Sequence, residues 1–102
     1  MNLKDKVTIV TGGASGIGAA SARKFAARGA KVVVTDVNGE GAKAIAYEIG
    51  GYAVVCDIGN EAAVNELVEE AEAAFGPVEI FFSNAGINSG RELLNTDLSV
   101  WE

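Results

Sequence analysis

The sequence predicts an α/β domain built on a parallel β-sheet. Short β-branched runs alternate with longer alanine-rich stretches along the chain, and only short links separate them. A repeated strand–helix–strand order of this kind requires parallel strands joined by right-handed crossover connections. The 102 residues fit one domain, and no internal repeat or linker divides them.

The first strand is predicted over Val7–Thr11, because this run is almost continuously β-branched, as in strands buried on both faces. A glycine-rich turn follows it, and the next alanine-rich stretch predicts a helix to about Arg28. Gly29 then stands where the C-terminus of a helix favours positive φ. The valine-rich run over 31–36 predicts the second strand.

The second helix is expected to begin at Asn38, since asparagine is a favourable N-cap residue. Its apolar side is predicted to consist of Ala42, Ile45 and Ile49. The pair Gly50-Gly51 ends the helix. The apolar run over 52–56 predicts the third strand.

The third helix is expected to begin at Asn60 and to end at Gly76-Pro77. Its apolar residues recur at i, i+3, i+4, i+7 and i+11, which is the spacing of one helix face. These residues are Val64, Leu67, Val68, Ala71 and Phe75. The apolar run over 78–83 predicts the fourth strand.

Composition excludes several kinds of catalytic and metal site. The chain has no histidine, so Ser-His-Asp and Cys-His nucleophiles and histidine metal ligands are excluded. Its single cysteine, Cys56, permits neither an internal disulfide nor a cysteine zinc cluster. A small, buried apolar side chain is the role we expect for it.

Charge and hydropathy limit the partners and the location of the protein. The net charge of −6 opposes nucleic-acid binding. No apolar run is long enough to span a membrane, and the first six residues differ from a signal peptide. We therefore expect a cytoplasmic protein with no nucleic-acid or membrane partner.

The glycine-rich turn, residues 11–18, joins the first strand to the first helix and contains four glycines. Glycine lets the backbone turn tightly and approach a ligand closely. The helix N-terminus offers free amides and the positive end of a dipole to a phosphate. The turn therefore favours a nucleotide phosphate site, with a plain tight turn between packed elements as the alternative.

The spacing of the glycines separates this turn from two common motifs. The dinucleotide fingerprint G-x-G-x-x-G meets Ser15 or Ser21 where it requires glycine. The phosphate-loop pattern G-x-x-x-x-G-K-[ST] fits Gly13 and Gly18, but alanine stands in place of its lysine. A nucleoside triphosphatase is therefore disfavoured.

Asp36 ends the second strand, 18 residues after Gly18. A carboxylate at this position can accept hydrogen bonds from an adenosine ribose and repels a 2′-phosphate. No basic residue follows at Val37 or Asn38 to bind such a phosphate. Asp36 therefore favours a place beside an adenosine ribose, the alternative being a solvent-exposed aspartate at a strand end.

Together these features resemble the short-chain dehydrogenase/reductase family. The family's T-G-x-x-x-G-x-G motif matches Thr11, Gly12, Gly16 and Gly18. Its acidic residue after the third strand matches Asp57, which Ile58 follows. Its N-N-A-G motif after the fourth strand matches residues 83–86, with Ser83 in place of the first asparagine. The resemblance covers essentially the whole chain.

The resemblance implies a Rossmann-type sheet of four strands in the order 3-2-1-4, truncated and with helices on both faces. It also implies an NAD site. Its members are the pyrophosphate-lining Gly12, Gly16 and Gly18, the cofactor-facing Ile17, the ribose-binding Asp36, the adenine-flanking Asp57 and Ile58, and Asn84, Ala85 and Gly86 beside the cofactor. Ser15 is also a member of this site, and it stands where NADP-preferring members often carry a basic residue. Both Asp36 and Ser15 therefore imply NAD rather than NADP.

The resemblance also implies an oxidoreductase that transfers hydride between nicotinamide and a carbonyl or secondary alcohol. The family's catalytic tyrosine, with a lysine four residues later, has no counterpart: Gly51 and Cys56 follow Tyr47 and Tyr52 at that spacing. We therefore expect residues 1–102 to be the N-terminal part of one NAD-binding domain. Without the catalytic half, this chain alone is expected to be inactive.

Two other functions remain open on the sequence. The chain can be a stand-alone, non-catalytic nucleotide-binding or regulatory module. An S-adenosylmethionine methyltransferase also pairs a glycine-rich turn with an acid after the second strand, although Thr11 and the segment 84–86 argue against it.

In the order 3-2-1-4 the fourth strand lies at an edge, where Ile80, Phe81 and Phe82 lack neighbours on one side. An unprotected apolar edge favours pairing with another chain. We expect this polypeptide alone to self-associate, and its parent to be a homo-oligomer. Sedimentation at high concentration tests the first expectation, and a clean monomer would contradict it.

Overall fold

The computed structural model describes residues 3–83, which form four strands and three helices. In chain order these are β1 (Val7–Thr11), α1 (Gly16–Ala27), β2 (Lys31–Asp36), α2 (Gly39–Ile49), β3 (Tyr52–Val55), α3 (Glu61–Phe75) and β4 (Ile80–Phe82). None of the helices in this part of the chain is long and apolar enough to cross a membrane. The predicted alternation of strands and helices is confirmed.

The four strands form one parallel sheet in the order β3-β2-β1-β4. Ile9 is in register with Val33 on one side and with Phe81 on the other. The chain leaves β1 toward β2 and β3, then crosses back to place β4 on the opposite side of β1. The boundary between β1 and β4 is therefore the switch point at which parallel α/β sheets bind ligands.

Two strands are shorter than predicted. β3 ends at Val55 rather than at residue 56, and β4 covers only Ile80–Phe82 of the predicted 78–83. Backbone pairing extends one residue past the end of β3, where the Cys56 N–H donates to the Asp36 carbonyl at 3.3 Å. It also extends one residue before β4, where the Glu79 N–H donates to the Val7 carbonyl at 2.9 Å. The backbone has already left strand geometry there to enter the neighbouring loops.

The sheet separates two apolar clusters, because successive strand side chains point to opposite faces. The first cluster joins α1 and α2 to one face and includes Phe25, Ala42, Val10, Val34 and Phe82. The second cluster joins α3 to the other face and includes Leu67, Ala71, Ile9 and Val33. Helices therefore cover both faces, which confirms the predicted Rossmann-type architecture.

The helix ends follow the predicted capping residues. The side chains of Asn38 and Asn60 each accept a backbone N–H at 3.1 Å, from Gly41 and Ala63 respectively. The three helices are followed by glycines with positive φ, Gly29, Gly50 and Gly76. Local sequence therefore sets where each helix begins and ends.

The substitution Phe25→Ala tests the first apolar cluster. Phe25 is 1% exposed, and its ring meets that of Phe82 edge to face at a centroid distance of 5.4 Å. Removing a buried phenyl ring costs about 3–5 kcal/mol in the free energy of unfolding, because a cavity replaces it. Urea unfolding measures this loss. The control Tyr47→Ala removes a ring that is 91% exposed and should change stability by less than about 0.5 kcal/mol. Equal losses would contradict this packing.

Candidate functional site

The glycine-rich turn leaves the carboxyl end of β1 and leads into α1. Gly12 has a φ of 65°, a conformation that favours glycine. Ser15 is the N-cap of α1: its Oγ donates to the Gly12 carbonyl at 2.8 Å and accepts the Gly18 N–H at 3.4 Å. Gly16 and Ile17 lie between Ser15 and Gly18 in the chain. Their amides are the first in the helix and therefore have no acceptor within it. Ser15 thus closes the turn, which the sequence motif does not indicate.

The glycines of the turn differ in the space around them. A Cβ on Gly18 would overlap the Gly12 carbonyl, and one on Gly13 would overlap the side chain of Val34. A Cβ on Gly16 would meet no atom within 4 Å. Gly13 and Gly18 are therefore required for packing, whereas Gly16 borders open space at the N-terminus of α1. That space fits the close approach of a phosphate group.

The carboxylate of Asp36 bonds to two backbone amides. Its Oδ2 accepts the Ala14 N–H at 2.9 Å, and its Oδ1 accepts the Asn38 N–H at 3.0 Å. The side chain is partly buried rather than fully solvent-exposed. Each carboxylate oxygen has a second lone pair, so both remain able to accept a hydrogen bond from a ligand hydroxyl.

A cavity of about 100 Å³ opens at the carboxyl edge of the sheet. It is lined by Gly12, Thr35, Asp36, Val37, Cys56, Asp57 and Ile58. Four of these residues were predicted from sequence: Gly12, Asp36, Asp57 and Ile58. The fold therefore brings together residues from the ends of β1, β2 and β3 that are far apart in the chain.

Three lining residues were not predicted as members of the site: Thr35, Val37 and Cys56. Each is the direct neighbour of Asp36 or Asp57, and this adjacency was the available signal. Cys56 is 6% exposed, which confirms its burial, but it also borders the cavity.

The region beneath the cavity contains a buried hydroxyl and a buried thiol. Burial raises the pKa of the Cys56 thiol, an effect that the nearby Thr35 hydroxyl partly offsets. The thiol therefore stays protonated near pH 7 and is a poor nucleophile. Within residues 3–83, the Thr35 Oγ1 has no hydrogen-bond partner, so its contact with Cys56 lacks hydrogen-bond geometry. The Thr35 side chain is fully buried, so its hydroxyl is closed off from the cavity.

Asp57 has a structural role beside its place in the cavity wall. Its Oδ1 accepts the Gly59 N–H at 2.9 Å, and its carbonyl accepts the Asn60 N–H at 3.0 Å. The side chain thus shapes the turn that leads into α3. The residue is exposed to solvent and lines the cavity.

The remaining predicted site residues flank the turn. Ile17 lies on the first turn of α1 and is 69% exposed, which is unusual for a large apolar side chain. Across the switch point, the Thr11 hydroxyl donates to the Ser83 Oγ at 3.5 Å. Asn84, Ala85 and Gly86 lie outside the described residues.

These features define a class of protein. A parallel sheet, a glycine turn at a helix N-terminus, and a carboxylate at the end of the neighbouring strand characterise nucleotide-binding α/β domains. The chain belongs to the short-chain dehydrogenase family, because the family's sequence model, described as short chain dehydrogenase, matches residues 6–102.

Known proteins agree with this assignment. Tropinone reductase-like 2 from Erythroxylum coca is 45% identical over 93 residues, which are 89% of this chain and 34% of that protein. A 3-ketoacyl-(acyl-carrier-protein) reductase from Brucella melitensis, solved with NADH, is 46% identical with a TM-score of 0.75, over 78% of this chain and 34% of its own. A hydroxysteroid dehydrogenase from Escherichia coli is 38% identical with a TM-score of 0.79, and the match covers 83% of this chain and 37% of that protein. The chain thus spans about a third of the length of these relatives.

A pair of glycine substitutions tests the two kinds of position in the turn. Gly18→Ala forces the backbone apart at Gly12 and should lower the free energy of unfolding by about 1–3 kcal/mol. Gly16→Ala meets open space and replaces a poor helix former, so stability should be unchanged or rise by up to about 1 kcal/mol. Urea unfolding compares the two, and an equal loss would contradict this division of roles.

Proposed function

We propose that this chain binds NAD(H) at the carboxyl edge of its sheet and forms the N-terminal, cofactor-binding part of a short-chain oxidoreductase. The main support is the cavity that gathers Gly12, Asp36, Asp57 and Ile58 from three separate segments. The related reductase from Brucella melitensis was solved in complex with NADH, which agrees with the proposal.

The residues of the turn would hold the pyrophosphate of the cofactor. Gly12, Gly16 and Gly18 supply backbone without side chains, and the N-terminus of α1 supplies positive potential. The open space at Gly16 supports this assignment, since a ligand can approach the backbone there. The exposed side chain of Ile17 would cover the bound cofactor from the helix side.

The cavity would hold the adenosine. Asp36 would accept hydrogen bonds from the ribose, and Asp57 and Ile58 would border the adenine. The cavity wall supports this placement, because Asp36, Asp57 and Ile58 all line it. For Asn84, Ala85 and Gly86, the family motif is the sole support for a place beside the cofactor.

We further propose that NAD is preferred to NADP. The Asp36 carboxylate would repel a 2′-phosphate, and its two amide hydrogen bonds prevent the side chain from turning away to relieve that repulsion. The nearby positions Ser15, Val37 and Asn38 provide no positive charge to compensate.

The bound nicotinamide would supply or accept hydride, and the residues of this chain would bind and orient the cofactor. The named relatives are a tropinone reductase-like protein, a 3-ketoacyl-(acyl-carrier-protein) reductase and a hydroxysteroid dehydrogenase. We infer a carbonyl or secondary alcohol as the substrate class. The family's catalytic tyrosine and lysine have no counterpart in these 102 residues, so this chain alone should be inactive.

Self-association is a separate proposal. β4 is the terminal strand of the described sheet, and the buried Ile80 and Phe82 make it strongly apolar. An apolar terminal strand whose outer edge is uncovered pairs readily with another chain. A cytoplasmic location stays a prediction of the sequence.

Calorimetry on the full-length protein tests the proposed cofactor. NAD should bind at least about tenfold more tightly than NADP, which corresponds to roughly 1.4 kcal/mol of charge repulsion. S-Adenosylmethionine should not bind. Tighter binding of NADP would overturn the preference, and binding of S-adenosylmethionine alone would overturn the oxidoreductase function.

Gly16→Ala tests the phosphate position in the same titration. The added methyl group fills the space through which the pyrophosphate would approach, so the affinity for NAD should fall by about tenfold or more. Stability should be retained, so weaker binding cannot be attributed to unfolding. Unchanged affinity would place the pyrophosphate elsewhere.

A further inference from the structure

We propose that Asp36 has a second role, in which its carboxylate holds the glycine turn in the position that binds phosphate. This inference rests on the proposed cofactor site. It makes Asp36 a positioning residue for the pyrophosphate as well as a direct partner for the ribose.

The two carboxylate oxygens of Asp36 serve two different loops. Oδ2 accepts the N–H of Ala14, in the turn after β1, at 2.9 Å. Oδ1 accepts the N–H of Asn38, at the N-cap of α2, at 3.0 Å. The carboxylate therefore joins the glycine turn to the start of α2 across the end of β2.

The neighbouring contacts enclose Ala14. Gly13, which precedes Ala14, donates its N–H at 3.0 Å to the carbonyl of Thr35, which precedes Asp36. On the other side, a Cβ built on Gly41 would lie 2.7 Å from the Cβ of Ala14, so α2 packs closely against the turn. Ala14 is thus fixed between the end of β2 and the first turn of α2.

The position of Ala14 determines that of the phosphate site. Ala14 immediately precedes Ser15, the N-cap of α1, and lies two residues before Gly16. Its amide bonds to a charged acceptor, and hydrogen bonds of this kind are stronger than those between neutral groups. Loss of that bond would loosen the backbone from which the first amides of α1 project.

Simple electrostatics and the positioning role predict opposite effects of removing the charge. The Asp36 carboxylate repels a phosphate through space, so neutralising it should by itself strengthen phosphate binding. If the carboxylate holds the turn in place, the same change should weaken phosphate binding. A ligand that has phosphates but no ribose can therefore separate this role from ribose recognition.

Hydrogen exchange on the ligand-free, full-length protein is the first measurement. Asp36→Asn keeps one acceptor oxygen and can satisfy only one of the two amides, whereas Asp36→Ala satisfies neither. The peptide spanning residues 11–18 should exchange about tenfold faster in both variants, because a hydrogen bond to a charged group is lost.

Asp57→Asn is the matched control. It removes the same charge from the same cavity, but the Asp57 side chain bonds to Gly59 in its own turn. Exchange in residues 11–18 should be unchanged. If Asp36→Ala fails to fold, Asp36→Glu serves as a second variant, since it keeps the charge and displaces the carboxylate; it should also accelerate exchange.

Binding of inorganic pyrophosphate is the second measurement. Its affinity should fall at least about threefold in Asp36→Asn and should be equal or higher in Asp57→Asn. Unchanged exchange together with equal or tighter pyrophosphate binding in Asp36→Asn would overturn the positioning role. The exchange result needs no cofactor, so accelerated exchange in a protein that does not bind NAD would support this role while refuting the proposed function.

Discussion

Parallel pairing of all four strands is the constraint on which the site depends. Because the strands run in one direction, the carboxyl ends of β1, β2 and β3 reach the same edge of the sheet. Thr11, Asp36 and Val55 are the last residues of these strands, and the loops beyond them supply Gly12, Val37 and the segment 56–58 to the cavity wall. The two apolar clusters stabilise this arrangement from both faces, so the site is built on rigid elements.

Much of the fold follows from local sequence. β-Branched runs predict the strands, and Asn38 and Asn60 cap the helices that they were expected to begin. Strands β3 and β4 were predicted to be longer than they are, because apolar composition does not show where strand pairing stops and a loop begins. The order of the strands could be predicted only from the family resemblance, because the alternation of strands and helices fixes the direction of the strands but not their order in the sheet.

The sequence indicates part of the cavity wall, without Thr35, Val37 and Cys56, and does not indicate its contacts. The motifs identify Gly12, Asp36, Asp57 and Ile58, and the structure gathers them around one cavity. The bond between Asp36 and Ala14 joins residues 22 positions apart and depends on the register of two strands. The burial of the Thr35 hydroxyl beside the same cavity also arises from tertiary packing. Neither this hydrogen bond nor this burial can be predicted from the pattern of residue types and their spacing in the sequence.

Protection from hydrogen exchange on addition of NAD to the full-length protein is the decisive measurement for a cofactor site at this edge of the sheet. We expect slower exchange in three separate segments, 11–18, 36–38 and 56–58, with no change on the exposed surface of α2 around Tyr47. Protection that is absent from these segments, or that appears only elsewhere, would contradict a cofactor site at the carboxyl edge of the sheet.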